Sequence, residues 1–188
     1  MAITDSTNIT TGSSVFFYWA GARAKRYHLL VARQPTGAET FDYTLAVDYT
    51  AIDDPFEPND TRETPASLAL GVTVTAFCYA GFADQRPVGA DYQDWYALAS
   101  PLAAGTVTIR VENVALNQSL RVGLYDTNNA RLESKAGSLG ASFDAVLDVA
   151  TPGMYRIMID PSTASDYGGN TQTLPDHFTR AYRLTVTQ

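Results

Sequence analysis

The sequence predicts an all-β protein, an antiparallel β-sandwich of jelly-roll-like type. Two observations carry that expectation: apolar residues alternate with polar ones in one row after another, and the rows are separated by clusters of turn-forming residues. One buried and one wet face per strand is the mark of antiparallel sheets, and short strands at regular spacing suit a sandwich better than a helical fold. No helical period of useful length competes with this pattern, apart from a short turn at 61–70.

The rows are clearest in the second half of the chain. Val107, Ile109 and Val111 alternate with Thr108 and Arg110, and Leu120, Val122 and Leu124 with Arg121 and Gly123. Phe143, Ala145, Leu147 and Val149 form the next row, with Asp144 and Asp148 opposite. Tyr155, Ile157 and Ile159 face away from Arg156 and Asp160, and Tyr182, Leu184 and Val186 from Arg183 and Thr185. Between them Asp126-Thr127-Asn128-Asn129, Gly137-Ser138-Leu139-Gly140 and Thr151-Pro152-Gly153 read as turns. The stretch 61–70 reads as a short helical turn capped by Asp60, with Glu63 three residues later.

The first fifty residues follow a different logic. Phe16-Phe17-Tyr18-Trp19, Tyr27-His28-Leu29-Leu30-Val31 and Tyr43-Thr44-Leu45-Ala46-Val47 can be laid over the series from Leu147 to Val186. Residues 1–50 are thus expected to be a partial β-unit, like the closing strands of a similar domain, ahead of a sandwich over 51–188. Such a fragment cannot bury its own apolar face, so it calls for a neighbouring domain or a second copy to pair with.

Composition removes several functions. The chain has 188 residues, with 20 Asp+Glu against 13 Lys+Arg and a formal net charge of −7. No Lys/Arg run exists to neutralise a phosphate backbone, so nucleic acid is a poor partner and anionic membrane surfaces are disfavoured. No apolar run reaches the ~20 residues of a membrane span. Cys78 is the only cysteine, in Ala76-Phe77-Cys78-Tyr79, and is expected as a small buried hydrophobe. The opening Met1-Ala2-Ile3-Thr4-Asp5-Ser6 lacks the basic and apolar parts of a signal peptide, and we read Met1 as a start within a larger exported protein.

Two acidic clusters are the most informative part of the chain. The first reads Asp54-Pro55-Phe56-Glu57-Pro58-Asn59-Asp60 and the second Asp91-Tyr92-Gln93-Asp94-Trp95-Tyr96. Calcium takes six to eight oxygens from carboxylates, amides, backbone carbonyls and water. Glu57, Asn59, Asp60, Asp91 and Asp94 offer five such side chains if folding brings the clusters together. Pro55 and Pro58 disfavour helix and stiffen the first cluster into an extended turn. The spacing is not that of an EF-hand, and the competing reading is a set of solvated turns. Tyr79 and Tyr92, beside the long loop, are weak candidates for a ligand-binding face; core packing or loop anchoring is the competing reading for each.

Glu57-Pro58-Asn59-Asp60, then Asp91…Asp94-Trp95-Tyr96, then Gly153-Met154-Tyr155 and Tyr182-Arg183-Leu184-Thr185-Val186 resemble the bacterial pre-peptidase C-terminal domain. That family includes the collagen-binding domains of clostridial collagenases, and the resemblance runs over about residues 52–188. It implies a jelly-roll-like sandwich without catalysis, in which calcium staples an N-terminal linker to the sheet through Glu57, Asn59, Asp60, Asp91 and Asp94. Calcium-binding members often carry a further acid where this chain has Pro55, so Asp54 would substitute from one position away or the site would hold one ion rather than two.

No chemistry-bearing motif argues for an enzyme. His28 and His177 are far apart in sequence, with no zinc-ligand spacing, and there is no Gly-x-Ser-x-Gly elbow, His-Glu-x-x-His helix or phosphate-cradling loop. The expectation is a calcium-stabilised accessory module of an exported bacterial protein, adhering to a polypeptide or polysaccharide polymer or assisting a neighbouring domain. A carbohydrate-binding module and a purely structural spacer in a tandem array remain the alternatives.

Overall fold

A computed structural model describes residues 42–48, 51, 53–79, 93–164 and 176–188. Nine strands occur among them: β1 (Ala66–Leu68), β2 (Thr73–Ala76), β3 (Asp94–Leu98), β4 (Gly105–Glu112), β5 (Gln118–Tyr125), β6 (Arg131–Ala136), β7 (Phe143–Val149), β8 (Arg156–Ala164) and β9 (Tyr182–Thr187). A single 3-10 turn, Asp176–Phe178, precedes β9. Among the described residues no helix is long and apolar enough to cross a membrane.

The strands form a five-stranded sheet, ordered β1-β3-β8-β5-β6, and a four-stranded sheet, ordered β2-β9-β4-β7. The pairs β5·β6, β4·β7, β3·β8 and β2·β9 nest inside one another in sequence, like the rungs of one long hairpin folded over itself. That nesting is the jelly-roll arrangement of the β-sandwich. All ladders are antiparallel except β1·β3. β1 and β3 run parallel because β2 intervenes in the other sheet, so the chain reverses twice before returning to β1.

The inner faces supply the core. Leu120, Val122, Leu124, Ile157, Ile159, Tyr96 and Leu98 from the first sheet meet Val107, Ile109, Val111, Leu147, Val149, Leu184 and Val186 from the second. Every inward row expected in 107–186 is buried there, with Phe143 packed at its margin. The expected turns fall between strands, and positive φ at Asn129 (63°) and Gly140 (67°) shows why Asn and Gly stand there.

The structure departs from simple alternation, and from the expected turn, at several places. The stretch 61–70 is not helical: Thr64 N–H bonds Thr61 O at 3.1 Å in a single turn, and β1 follows. Pro65 explains this, since it lacks an N–H and biases Thr64 away from helix. The apolar run Ala76-Phe77-Cys78-Tyr79 is strand only at Ala76, where β2 ends, and Cys78 is buried as expected. Trp95 and Tyr96 are both buried: Tyr96 points inward, and outward-facing Trp95 packs against Tyr125 with ring centroids 4.8 Å apart. Outward-facing Asp160 is likewise buried, paired with Arg121. Tyr43-Thr44-Leu45-Ala46-Val47 is exposed and forms no strand; an extended segment needs a ladder partner, and among the described residues none lies beside it. The rest of the expected partial unit over 1–50 lies outside the described residues.

Candidate metal centre at the entry of the sandwich

The chain enters its sandwich through 53–60, and that segment touches both sheets. Asp54 turns its carboxylate back on the chain: Oδ1 accepts the N–H of Phe56 at 2.9 Å, an Asx turn favoured by the Asp-Pro pair. Its Oδ2 accepts the N–H of Phe77 at 2.7 Å, just past the end of β2. Phe56 then packs edge-on against Tyr96, with ring centroids 6.1 Å apart. Three residues on, the carbonyl of Asn59 accepts the N–H of Trp95 at 2.9 Å, which sets Asn59 beside the start of β3. The Glu57–Pro58 peptide between these anchors is cis.

This path brings the first acidic cluster to the second. Asn59 is 1% exposed and Asp94, the neighbour of Trp95, is 0% exposed. The side-chain oxygens Glu57 Oε1, Asp60 Oδ1 and Asp94 Oδ1 are also shut away from solvent. Among the described residues neither Oδ1 nor Nδ2 of Asn59, nor Oδ1 of Asp60, meets a hydrogen-bond partner. Burial pushes the Asp60 carboxyl above its ordinary value. Buried polar atoms are otherwise satisfied in folded proteins, and a buried carboxylate needs a compensating charge, so this corner is out of balance as a purely organic site. Oxygen atoms of this kind, mixed between amide and carboxylate, suit a hard cation.

The other oxygen of Asp94 is held from across the sandwich. The Tyr182 hydroxyl, from β9, donates to Asp94 Oδ2, and the Tyr96 and Tyr182 hydroxyls lie 2.7 Å apart. Burial first, and then the nearby Asp94 charge, hold both phenols well above their ordinary range, so they remain donors at any physiological pH. Asp94 is therefore fixed by a group of the second sheet while standing in the first.

Among the described residues, no three Asp, Glu, His or Cys side chains are grouped closely enough to hold a metal ion. The fold thus brings Asn59 beside Asp94 and puts Glu57 and Asp60 on the same entry segment, but does not draw the acids into a tight trio. Asp91 and Tyr92 lie outside the described residues. Tyr79 does not line an open face: it is 7% exposed, packed with Phe77 at 5.9 Å and Phe178 at 5.8 Å between ring centroids. It sits where β2 ends and the turn before β9 passes, so anchoring is its observed role. Sequence reasoning took Tyr182 only as a strand residue, and nothing short of the β2·β9 and β3·β8 pairings shows that its hydroxyl reaches Asp94. Asp54 was legible in part, since an Asp-Pro pair signals a turn, whereas its bond to Phe77 was not.

The class of protein defined so far is a jelly-roll β-sandwich with an acidic entry segment docked on both of its sheets. Among solved structures the chain is similar to the pre-peptidase C-terminal domain of a collagenase from Bacillus anthracis, of the family its motifs resemble. The two are 19% identical with a TM-score of 0.39, over 64% of this chain and 92% of that one. No protein-family model and no curated protein sequence matches the chain. At that identity and score the likeness lends no geometry to the site, which stands on the side chains described above.

Proposed function

We propose that this chain is a non-catalytic accessory module of an exported bacterial protein, its entry segment stapled to the sandwich by one calcium ion. The observation that carries the reading is the buried amide of Asn59 and the buried Oδ1 of Asp60, without hydrogen-bond partners among the described residues, next to fully buried Asp94. Glu57, Asn59, Asp60 and Asp94, joined by Asp91, would hold the ion. The ion would supply the positive charge that this corner needs. Calcium fits better than magnesium, because a long, mixed and adaptable set of oxygens meets its irregular shell, whereas magnesium demands a near-octahedral one.

Such a module works by holding position. Asp54, Phe56 and the Asn59 carbonyl already lay the entry segment on the sandwich, and the ion would convert that docking into a rigid joint between this domain and what precedes it. The joint would let the sandwich adhere to a polymer, polypeptide or polysaccharide, while carrying a defined orientation relative to a neighbouring domain. Asp54, Asp94 and Asp160 serve the fold, their carboxylates engaged by backbone amides, a phenol and a guanidinium in turn, which favours a structural reading over a catalytic one.

Calorimetric titration with calcium chloride, run beside magnesium chloride, tests the reading. The expected result is one calcium-binding event with a dissociation constant on the order of 10⁻⁴ M, as in other extracellular modules, and weaker magnesium binding. Asn59→Ala and Asp94→Asn should each weaken calcium at least tenfold. Absence of any calcium heat from the folded protein, or unchanged affinity in both variants, would overturn it.

A further inference from the structure

Folding gathers on the outer face of the first sheet what the sequence scatters. Tyr125 ends β5, and the ladders pair it with Arg131 of β6 on one side and Arg156 of β8 on the other. Paired residues share a face, so Arg131, Tyr125 and Arg156 form one lateral row across three strands. Val122 and Leu124 turn into the core and Tyr125 follows Leu124, so the row stands on the outside. Neighbouring strands lie about 4.8 Å apart, which sets the two arginine backbones roughly 10 Å from each other with the tyrosine between them.

Tyr125 lies across the sheet rather than standing up from it. Its ring covers Gly123, where a Cβ would stand 2.7 Å away, and meets Trp95 at 4.8 Å between centroids. Its hydroxyl reaches Met158 Sδ at 3.7 Å. Trp95 and Met158 are buried beside it, while the tyrosine itself is half-buried and keeps part of its ring open to solvent.

The charges follow the same bias. Among the described residues Arg62, Arg110, Arg121, Arg180 and Arg183 are in ion pairs, and Arg131, Lys135 and Arg156 are not. Lys135 stands on the opposite face of β6, in register with Val122. The two arginines left over are those that flank Tyr125, and Asn129 Oδ1 accepts from Arg156 Nη1 and holds it in place. The acids nearby are engaged: Asp160 by Arg121, Asp126 by the N–H groups of Asn128 and Ala130, and Glu133 by the Asp148 N–H of the second sheet. A chain of net charge −7 thus presents two guanidinium groups without carboxylate partners around one open aromatic ring.

We propose that this row is the polymer-binding face and that its ligand is a polysaccharide of uronic-acid sugars. One pyranose would stack on Tyr125, and carboxylates along the sugar chain would pair with Arg131 and Arg156. The proposal rests on the reading of the chain as a polymer-adhering module, names its partner, and makes no use of the ion. A sheet face offers a peptide no free backbone groups, because they are spent in the ladders. What it offers instead is a flat amphipathic ring and two planar forks, and a guanidinium matches a carboxylate through two parallel hydrogen bonds. A neutral sugar would leave the forks unused, and an acidic peptide would leave the ring unused.

Calorimetric titration at about 0.15 M salt tests it, in chelator because calcium crosslinks polyuronates by itself. The probes are an oligogalacturonate, its methyl ester (the same rings without charge) and polyglutamate (the same charge without rings). The oligogalacturonate should bind, and each of the others at least tenfold more weakly. Arg131→Gln and Arg156→Gln should each weaken it severalfold and together at least tenfold. Arg110→Gln removes the same charge from the second sheet and should leave the affinity within twofold. No binding of the oligogalacturonate, equal binding of either control, or an Arg110→Gln loss matching that of Arg131→Gln would overturn the proposal. A protein that takes up calcium but ignores the oligogalacturonate would sink this inference and leave the ion reading standing.

Discussion

Asp54 and Tyr182 show how much of the entry corner is built from groups outside the proposed ion site. Asp54 spends both oxygens on backbone amides, of Phe56 and Phe77. Asp54→Ala should strand those donors and cost about 1–3 kcal/mol in urea unfolding, in calcium and in chelator alike. Tyr182→Phe removes the donor that reaches Asp94 from the second sheet, and should cost a similar amount in chelator. In calcium its loss should be larger, because a carboxylate freed to rotate holds the ion less well. A third expectation concerns Asp60. Burial raises its proton affinity, so a proton competes with the ion from a higher pH than at an ordinary aspartate. Calorimetric calcium affinity should therefore drop between pH 7 and pH 5, and an affinity constant over that range would remove Asp60 from the site. Of these residues Asn59, Asp60 and Asp94 were legible, because oxygen-rich side chains flanking a strand advertise themselves. Tyr182 was not, because its role depends on which strand folds against it.

The strands carry most of the stability and were the easiest part to read. The alternation in β4, β5, β7 and β9 needs only a period of two and a single buried face, so it survives without knowledge of the partner strand. Ile109, fully buried in β4 between β7 and β9, is the representative case. Ile109→Ala should cost about 2–5 kcal/mol in urea unfolding, and a loss under 1 kcal/mol would mean that the inner faces do not meet as described. Elements failed to show where a local signal met a stronger one: the cap-like Asp60 and Glu63 lost to Pro65, and β1 formed by pairing with β3 instead. The outer face of β5 departs from simple alternation too. Gly123 stands there because a Cβ would lie 2.7 Å from the Tyr125 ring, which lies over it and against Trp95. Gly123→Ala should displace that ring and shift the tryptophan emission of the folded protein, while leaving the ladders of β5 in place.

At the scale of the whole molecule, nested pairing closes two sheets around one core, and the last strand, β9, lies in the middle of the second sheet. Its Tyr182 reaches Asp94 in the first sheet, and the entry segment reaches β3 and the end of β2. An ion held by Glu57, Asn59, Asp60, Asp91 and Asp94 would thus tie the incoming chain to a corner where both sheets already meet. With a dissociation constant of ~10⁻⁴ M and ~1 mM free calcium, that linkage would stabilise the fold by about 1.4 kcal/mol. The most direct measurement is the melting temperature in 1 mM calcium against that in excess chelator. The account predicts a rise of roughly 3–6 °C with calcium, most of it lost in Asn59→Ala. A melting temperature the same in both solutions would contradict it.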